Sequence, residues 1–275
     1  MSTHISVFAR KPLAIIKKEF LTAISYKFDF LFRFSSIWMS LFVYYFLAKL
    51  IDPAVSTDLQ PYGGDYFSFV IIGTAFSSYL NVGLDSFSSS IREAQLVGTL
   101  EAVLVTRTRF TTILIFQAVW NFLFASIHVI VYLAFGFLFF KTPITNPNFP
   151  ATIVVLILTI LAFSSLGIIS GSFIILFKKG TPINWFINNF SRFLGGVFYP
   201  ISLLPDWCQT LAYLLPITHS LEAIRLAMIR GYSLPELRTQ ITALLIFNVV
   251  LFPLSVLCFN FAFRQARKDG TLCQY

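Results

Sequence analysis

Charge is scarce in this chain. Its 12 acidic and 20 basic residues make up 12% of 275, about half the charged fraction of an ordinary soluble domain. A water-facing surface cannot be built from so few charges. Catalytic constellations are missing too. His4, His128 and His219 stand far apart, no HExxH occurs, and no GxxxxGK[ST] phosphate-binding loop is present. Cys208, Cys258 and Cys273 give neither an even count for a disulfide framework nor a metal-ligand spacing. The N-terminus lacks the uninterrupted apolar core of a cleaved leader, because Arg10, Lys11, Lys17, Lys18 and Glu19 break it. No polar segment is long enough to bury a core of its own. The net charge of +8 forms no basic stripe with a recognisable nucleic-acid motif, so nucleic acid is not an expected partner.

What is present is apolar length. Hydrophobic residues make up 57% of the chain, and its mean hydropathy is +0.78. Since a helix needs about 20 largely apolar residues to cross a bilayer, six spans are expected, at 30–50, 66–87, 112–140, 151–177, 185–204 and 241–263. The fold class is therefore an all-α integral membrane protein, a single transmembrane domain over 1–275. Basic residues cluster on one side of these spans: Arg10, Lys11, Lys17, Lys18, Lys27 and Arg33 before the first, Arg92, Arg107 and Arg109 between the second and third, Lys178 and Lys179 between the fourth and fifth, and Arg264, Arg267 and Lys268 after the last. The positive-inside bias makes that side cytoplasmic, with both termini. The connection holding Arg225, Arg230 and Arg238 departs from the bias.

Three segments between the spans carry more information. Over 8–28, Leu13, Ile16, Phe20, Ile24 and Phe28 recur at helical spacing, the pattern of a helix lying in the membrane interface or packing on a partner. Over 199–220 the chain is apolar, yet Pro200, Pro205 and Pro216 forbid one continuous helix, so short re-entrant or surface helices are expected there, with 205–237 as a helical loop on the outer face. Glu222 and Arg225, three residues apart, are spaced to pair on one helical face. The third segment, 91–106, reads IREAQLVGTLEAVLVT. Leu96, Val97, Leu100, Val103 and Leu104 form an apolar stripe, with Arg92, Glu93, Gln95, Thr99 and Glu101 mostly off it. Such a helix can be a plain surface linker, or it can present its polar groups to a cytosolic protein. Within the spans, His128 is an ionisable group at membrane depth, and Asn81 and Asp85 share one face of the second span, suited to locking the bundle.

The run from Arg92 to Thr106 resembles the cytoplasmic coupling segment of ABC transporter permeases of the type-2 exporter family. Glu93, Gly98, Thr99, Leu100, Glu101, Leu104 and Thr106 match the family pattern, and Arg107 stands where a proline is usual. The stretch GGVFYPISLLPDWCQTLAYLLPITHSLEAIR resembles the family's second hallmark, an apolar run with prolines closing on Pro216, Thr218, Glu222 and Arg225. The resemblance implies a homodimer, or a pair with a homologous permease, in a bacterial inner membrane and surrounded by lipid. It also implies two cytosolic ATP-binding cassette subunits that carry the ATP and Mg, with no cofactor on this chain and no enzymatic activity of its own. Residues 91–105 become the coupling helix, with Arg92, Glu93, Gly98, Thr99, Leu100, Glu101 and Leu104 facing the ATPase. Residues 8–28 become the connecting helix. Pro200, Pro205, Pro216, Thr218, Glu222 and Arg225 shape the outer mouth. A chain with 33 phenylalanines suits drug-like or amphiphilic, lipid-like cargo, and lipid-linked polysaccharide is the alternative. An ion-coupled transporter would carry acids at mid-membrane, and a membrane-embedded lipid enzyme would show clustered acids, histidines or a nucleophile pair. The acids here sit mainly at span ends, and no such cluster is visible.

Overall fold

The computed structural model describes residues 16–21, 25, 27–50, 56–96, 110–140, 146–177 and 181–268, and these are helical with short connections. The helices of eight or more residues among those described are α1 (Lys27–Leu50), α2 (Tyr66–Leu96), α3 (Phe110–Phe140), α4 (Phe149–Phe177), α5 (Thr181–Leu194), α6 (Asp206–Tyr213), α7 (Pro216–Ile229) and α8 (Arg238–Lys268). Among the described residues, four stretches are long and apolar enough to cross a membrane: Tyr66–Glu93, Thr111–Phe140, Phe149–Phe177 and Arg238–Ala266. The apolar part of α1, Ser35–Leu50, is shorter.

The stretch expected as a fifth span, 185–204, is not one helix. α5 ends at Leu194, and Gly196 takes a left-handed φ of +73°. That backbone conformation is the usual way out of a helix, and glycine adopts it without steric cost. The 14 residues of α5 reach about 21 Å at 1.5 Å per residue, short of a hydrocarbon core of about 30 Å. The chain then crosses a 3-10 turn, Ile201–Leu203, before α6 and α7. Each proline begins an element: Pro200 precedes the turn, Pro205 precedes α6, and Pro216 opens α7. At those places the missing N–H would have no intrahelical partner in any case.

Polar side chains set the other starts. Asp65 caps α2, accepting the Ser68 N–H at 2.8 Å, and Asn148 caps α4, accepting the Ala151 N–H at 3.1 Å. Before α8, Glu236 accepts both the Ser233 N–H (2.7 Å) and its hydroxyl (2.6 Å), closing the turn that leads into the helix. These bonds, the hydroxyl first, hold the Glu236 carboxyl below its ordinary 4.5. A lowered folded-state pKa means the turn gains support that is complete above 4.5 and is lost as the pH falls through the folded value. Protection of the Ser233 amide from exchange, relative to its intrinsic rate at each pH, is therefore expected to fall below that point in the native chain. Protection should already be low, with no acid-induced step, in Glu236→Gln. A native-like acid step in the variant would refute the assignment.

The bundle is organised around α2. It packs against α4, α3, α7, α1 and α5, and Phe69, Val70, Ile72, Ala75 and Leu84 along it are fully buried. The α2–α4 contact is made backbone to backbone: a Cβ built at Gly167 would overlap the Gly83 carbonyl oxygen. α8 lies along α4, yet Ile246, Val249, Phe252, Leu257 and Phe261 stay exposed, an apolar face suited to lipid. Many aromatics pack between helices. Trp38 of α1 meets Phe135 and Phe139 of α3 at ring distances of 4.8 and 4.7 Å. Phe20, in the helical stretch 16–21, meets Trp120 edge-on at 6.0 Å. The rest of the expected interfacial helix lies mainly outside the described residues.

Candidate functional site

Two polar clusters and one helix end carry the features that sequence reading singled out. The first cluster surrounds Arg225, which is 3% exposed. Its Nε donates to the Phe69 carbonyl (3.1 Å), Nη1 to Gly196 (2.8 Å) and Nη2 to Val197 (2.9 Å). The guanidinium also lies 3.4 Å from the centre of the Phe69 ring. The expected pairing with Glu222 is not formed, since no ion pair within 4.0 Å joins the two. A planar fork with five donors suits carbonyls converging from α2 and from the turn after α5 better than one carboxylate reached along its own helix. Gly73 makes room for it, because a Cβ there would overlap Arg225 Nη2 and the Val197 carbonyl. Tyr62 sits beside the cluster, its ring 5.1 Å from that of Phe69. Burial first, then Glu222, pushes its phenol up to about 12, so it stays neutral.

The other expected outer-mouth residues hold the same region together. The Thr218 hydroxyl donates to the Ala212 carbonyl at 2.6 Å, linking α7 to α6. Ser220 joins α7 to α4 by accepting the Thr159 hydroxyl at 3.0 Å. Pro200 and Pro216 are buried, and Pro205 is exposed. Arg230, just past α7, donates to the Pro61 carbonyl at 3.1 Å and to that of Gln60. The turn 60–64, the segment 195–204 and α6–α7 thus form one hydrogen-bonded cap around the end of α2.

The second cluster lies further along α2, facing α5. Asn184 Nδ2 donates to Asp85 Oδ1 (2.9 Å), Ser88 Oγ (2.7 Å) and the Leu84 carbonyl (3.2 Å), and its Oδ1 accepts from Ser170. One turn on, Asn188 donates to Asn81. Asn81 and Asp85, four apart on α2, thus meet Asn188 and Asn184, four apart on α5. The sequence placed the first pair on one face but gave no partner. Asn184 and Asn188 were missed, although polar residues at i and i+4 in an otherwise apolar helix are a usable signal. Asn81 and Asp85 also line a cleft of about 450 Å³ between α2 and α3, with His128 on its far wall.

The last feature is the far end of α2. Its 31 residues extend about 46 Å, well beyond a hydrocarbon core of about 30 Å. Arg92 is half-buried and Glu93 exposed near that end. Gly98, Thr99, Leu100, Glu101 and Leu104 lie outside the described residues.

Residues 12–229 match a family described as ABC-2 type transporter. Among curated proteins, the chain is similar to the Inner membrane transport permease YadH of Escherichia coli (strain K12). That similarity is 26% identity over 229 residues, covering 80% of this chain and 87% of the relative. It is also similar to Nodulation protein J of Sinorhizobium fredii (strain NBRC 101917 / NGR234), 29% identical over 211 residues, covering 70% of this chain and 73% of the relative.

Proposed function

Because this chain belongs to the ABC-2 type transporter family, we propose that it is the membrane permease subunit of an ATP-driven exporter, powered by a separate cytosolic ATP-binding subunit. The observation that carries this reading is the continuity of the family match from residue 12 through the end of α7. It takes in both the segment after α2 and the cap around Arg225. α2 joins the two: one end is held by Arg225 at the Phe69 carbonyl, and Arg92 and Glu93 lie near the other, where the membrane-length stretch Tyr66–Glu93 closes. Movement of that end by an ATPase would be transmitted along a single buried helix. Such coupling needs contacts that differ between two states of the bundle.

The complex would hold two permease chains and two ATPase chains in a bacterial inner membrane, a placement favoured by the name of the Escherichia coli relative. Both termini, with the end of α2, would face the cytoplasm, by the clustering of Arg and Lys. The cargo would be drug-like or amphiphilic.

Charge reversal in the coupling segment tests this. Glu101→Lys is expected to cut cargo-stimulated ATPase activity of the reconstituted complex about fivefold or more, the lower end of ordinary coupling energies. The ATPase subunit should co-purify less well with the variant. Unchanged stimulation together with unchanged co-purification would remove Glu101 from the interface.

A further inference from the structure

The cleft between α2 and α3 has a composition that packing does not require. Ser78, Asn81, Asp85 and Ser89 follow one another at three or four residues along α2, and so share a face. Asn121 and His128, seven apart on α3, face them across the cleft. From Ser78 to Ser89 the lining runs about 16 Å along the helix axis. Its volume of about 450 Å³ falls among cavities that hold small molecules. All these residues lie within the stretches Tyr66–Glu93 and Thr111–Phe140, long and apolar enough to span a membrane.

Asp85 is the anomaly. It is exposed along the cleft, and it is the single charged side chain among the lining residues. Its bond to Asn184 needs only an acceptor oxygen, which asparagine would supply as well. Among the described residues no Lys, Arg or His nitrogen lies within 4.0 Å of it. Asp85 falls inside the apolar stretch Tyr66–Glu93, where a carboxylate is costly without a counter-charge. Among the described residues no group of three or more His, Cys, Asp or Glu that could hold a metal ion surrounds it. Hydroxyls and amides along the walls offer hydrogen-bond acceptors to an N–H-bearing group, and the Phe124 ring lines the same space. On α3, Leu123 and Ile127 are exposed near Asn121 and His128, so an alkyl chain leaving the cleft would lie on apolar surface.

We propose that this cleft binds the ammonium headgroup of an amphiphile, with Asp85 as its counter-charge and the α2 hydroxyls and amides as hydrogen-bond partners. The proposal deepens the exporter reading and rests on it only for the idea that the ligand is cargo.

The test uses the full-length chain in lipid nanodiscs and two fluorescent probes of equal chain length, one an alkylammonium and the other an alkylsulfonate. The native chain is expected to bind the ammonium probe at least about tenfold more tightly. Asp85→Asn, which keeps the acceptor for Asn184, should remove that preference, since a hydrogen bond to a charged partner commonly accounts for tenfold or more. Ser89→Phe, at an exposed position that fills the cleft, should block the ammonium probe and tests the proposal even if Asp85→Asn does not fold. Equal affinity for the two probes, or ammonium binding unaffected in folded Asp85→Asn, would overturn it. Repeating the measurement in phosphatidylglycerol discs with and without phosphatidylethanolamine separates two sources of the headgroup. Competition by the aminolipid would make a membrane lipid the resident, and its absence would leave the site to cargo. Both outcomes keep the ammonium chemistry. Because binding is read on the permease alone, a missing ATPase partner would leave this result standing. Intact coupling without ammonium binding would remove the ligand and not the exporter.

Discussion

Arg225→Leu is expected to yield little monodisperse permease, and what is recovered should melt well below the native chain. The guanidinium supplies three hydrogen bonds to carbonyls of Phe69, Gly196 and Val197 at a residue 3% exposed. Leucine fills part of the volume but donates nothing, leaving buried carbonyls without their charged donor. Each such loss costs about 1–3 kcal/mol, so a total of about 3 kcal/mol or more is expected even if the bonds are far from additive. That is a large fraction of the stability of an ordinary domain. Arg225→Lys should recover only part of it, because a compact ammonium on a flexible stem cannot reach α2 and the turn after α5 with the same fixed fork. Arg230→Leu is the control. That arginine also donates to backbone carbonyls, at Gln60 and Pro61, but it is exposed, and a shift within about 0.5 kcal/mol is expected. Thermal unfolding of the three purified variants decides the matter, and a native-like curve for Arg225→Leu would refute it.

The contrast between Arg225 and Glu222 shows what the sequence could and could not carry. Spacing of three placed both on one helix and suggested a local pair. The actual partners of Arg225 lie 28, 29 and 156 residues away, and no local pattern encodes such distances. Asn81 and Asp85 make the same point: their shared face could be read from periodicity, whereas Asn188 and Asn184 lie 107 and 99 residues along the chain. Features that act locally were legible. Three prolines divided 200–216 as they do in the structure, and the long apolar runs marked helices because backbone groups in lipid must be satisfied within one segment. The broken end of α5 was legible in principle, since Gly195-Gly196 is a turn signal. It was overridden by the apolar run continuing on both sides, and hydropathy alone does not register a change in backbone conformation.

The second large effect concerns a residue that offers no chemistry. Gly167→Ala is expected to destabilise the bundle by about 3 kcal/mol, near the top of the usual range for overpacking, although it adds a single methyl group. A Cβ at Gly167 overlaps the Gly83 carbonyl oxygen, a backbone atom in the middle of a buried helix. It cannot move by rotating a side chain, so α2 and α4 must separate along their contact. Gly171, one turn on along α4, supplies the comparison. A Cβ there meets Ile91 Cδ1 at 3.0 Å, the far end of a side chain with other rotamers within reach. Gly171→Ala should therefore cost less than about 1 kcal/mol, or even stabilise the helix, since alanine is the better helix former. Both substitutions relieve the same backbone entropy and differ in what they strike. Matched unfolding curves thus isolate the backbone contact, and equal melting of the two variants would show that α2 and α4 are not held by glycine against carbonyl. The consequence for transport is specific. On the proposed exporter reading, α2 carries the Arg225 cap at one end, would lead into the coupling segment at the other, and has the Asp85 cleft between them. A wedge at Gly167 should then lower cargo stimulation of the ATPase in the same preparation that shows the lowered melting point, whereas Gly171→Ala should leave both near native.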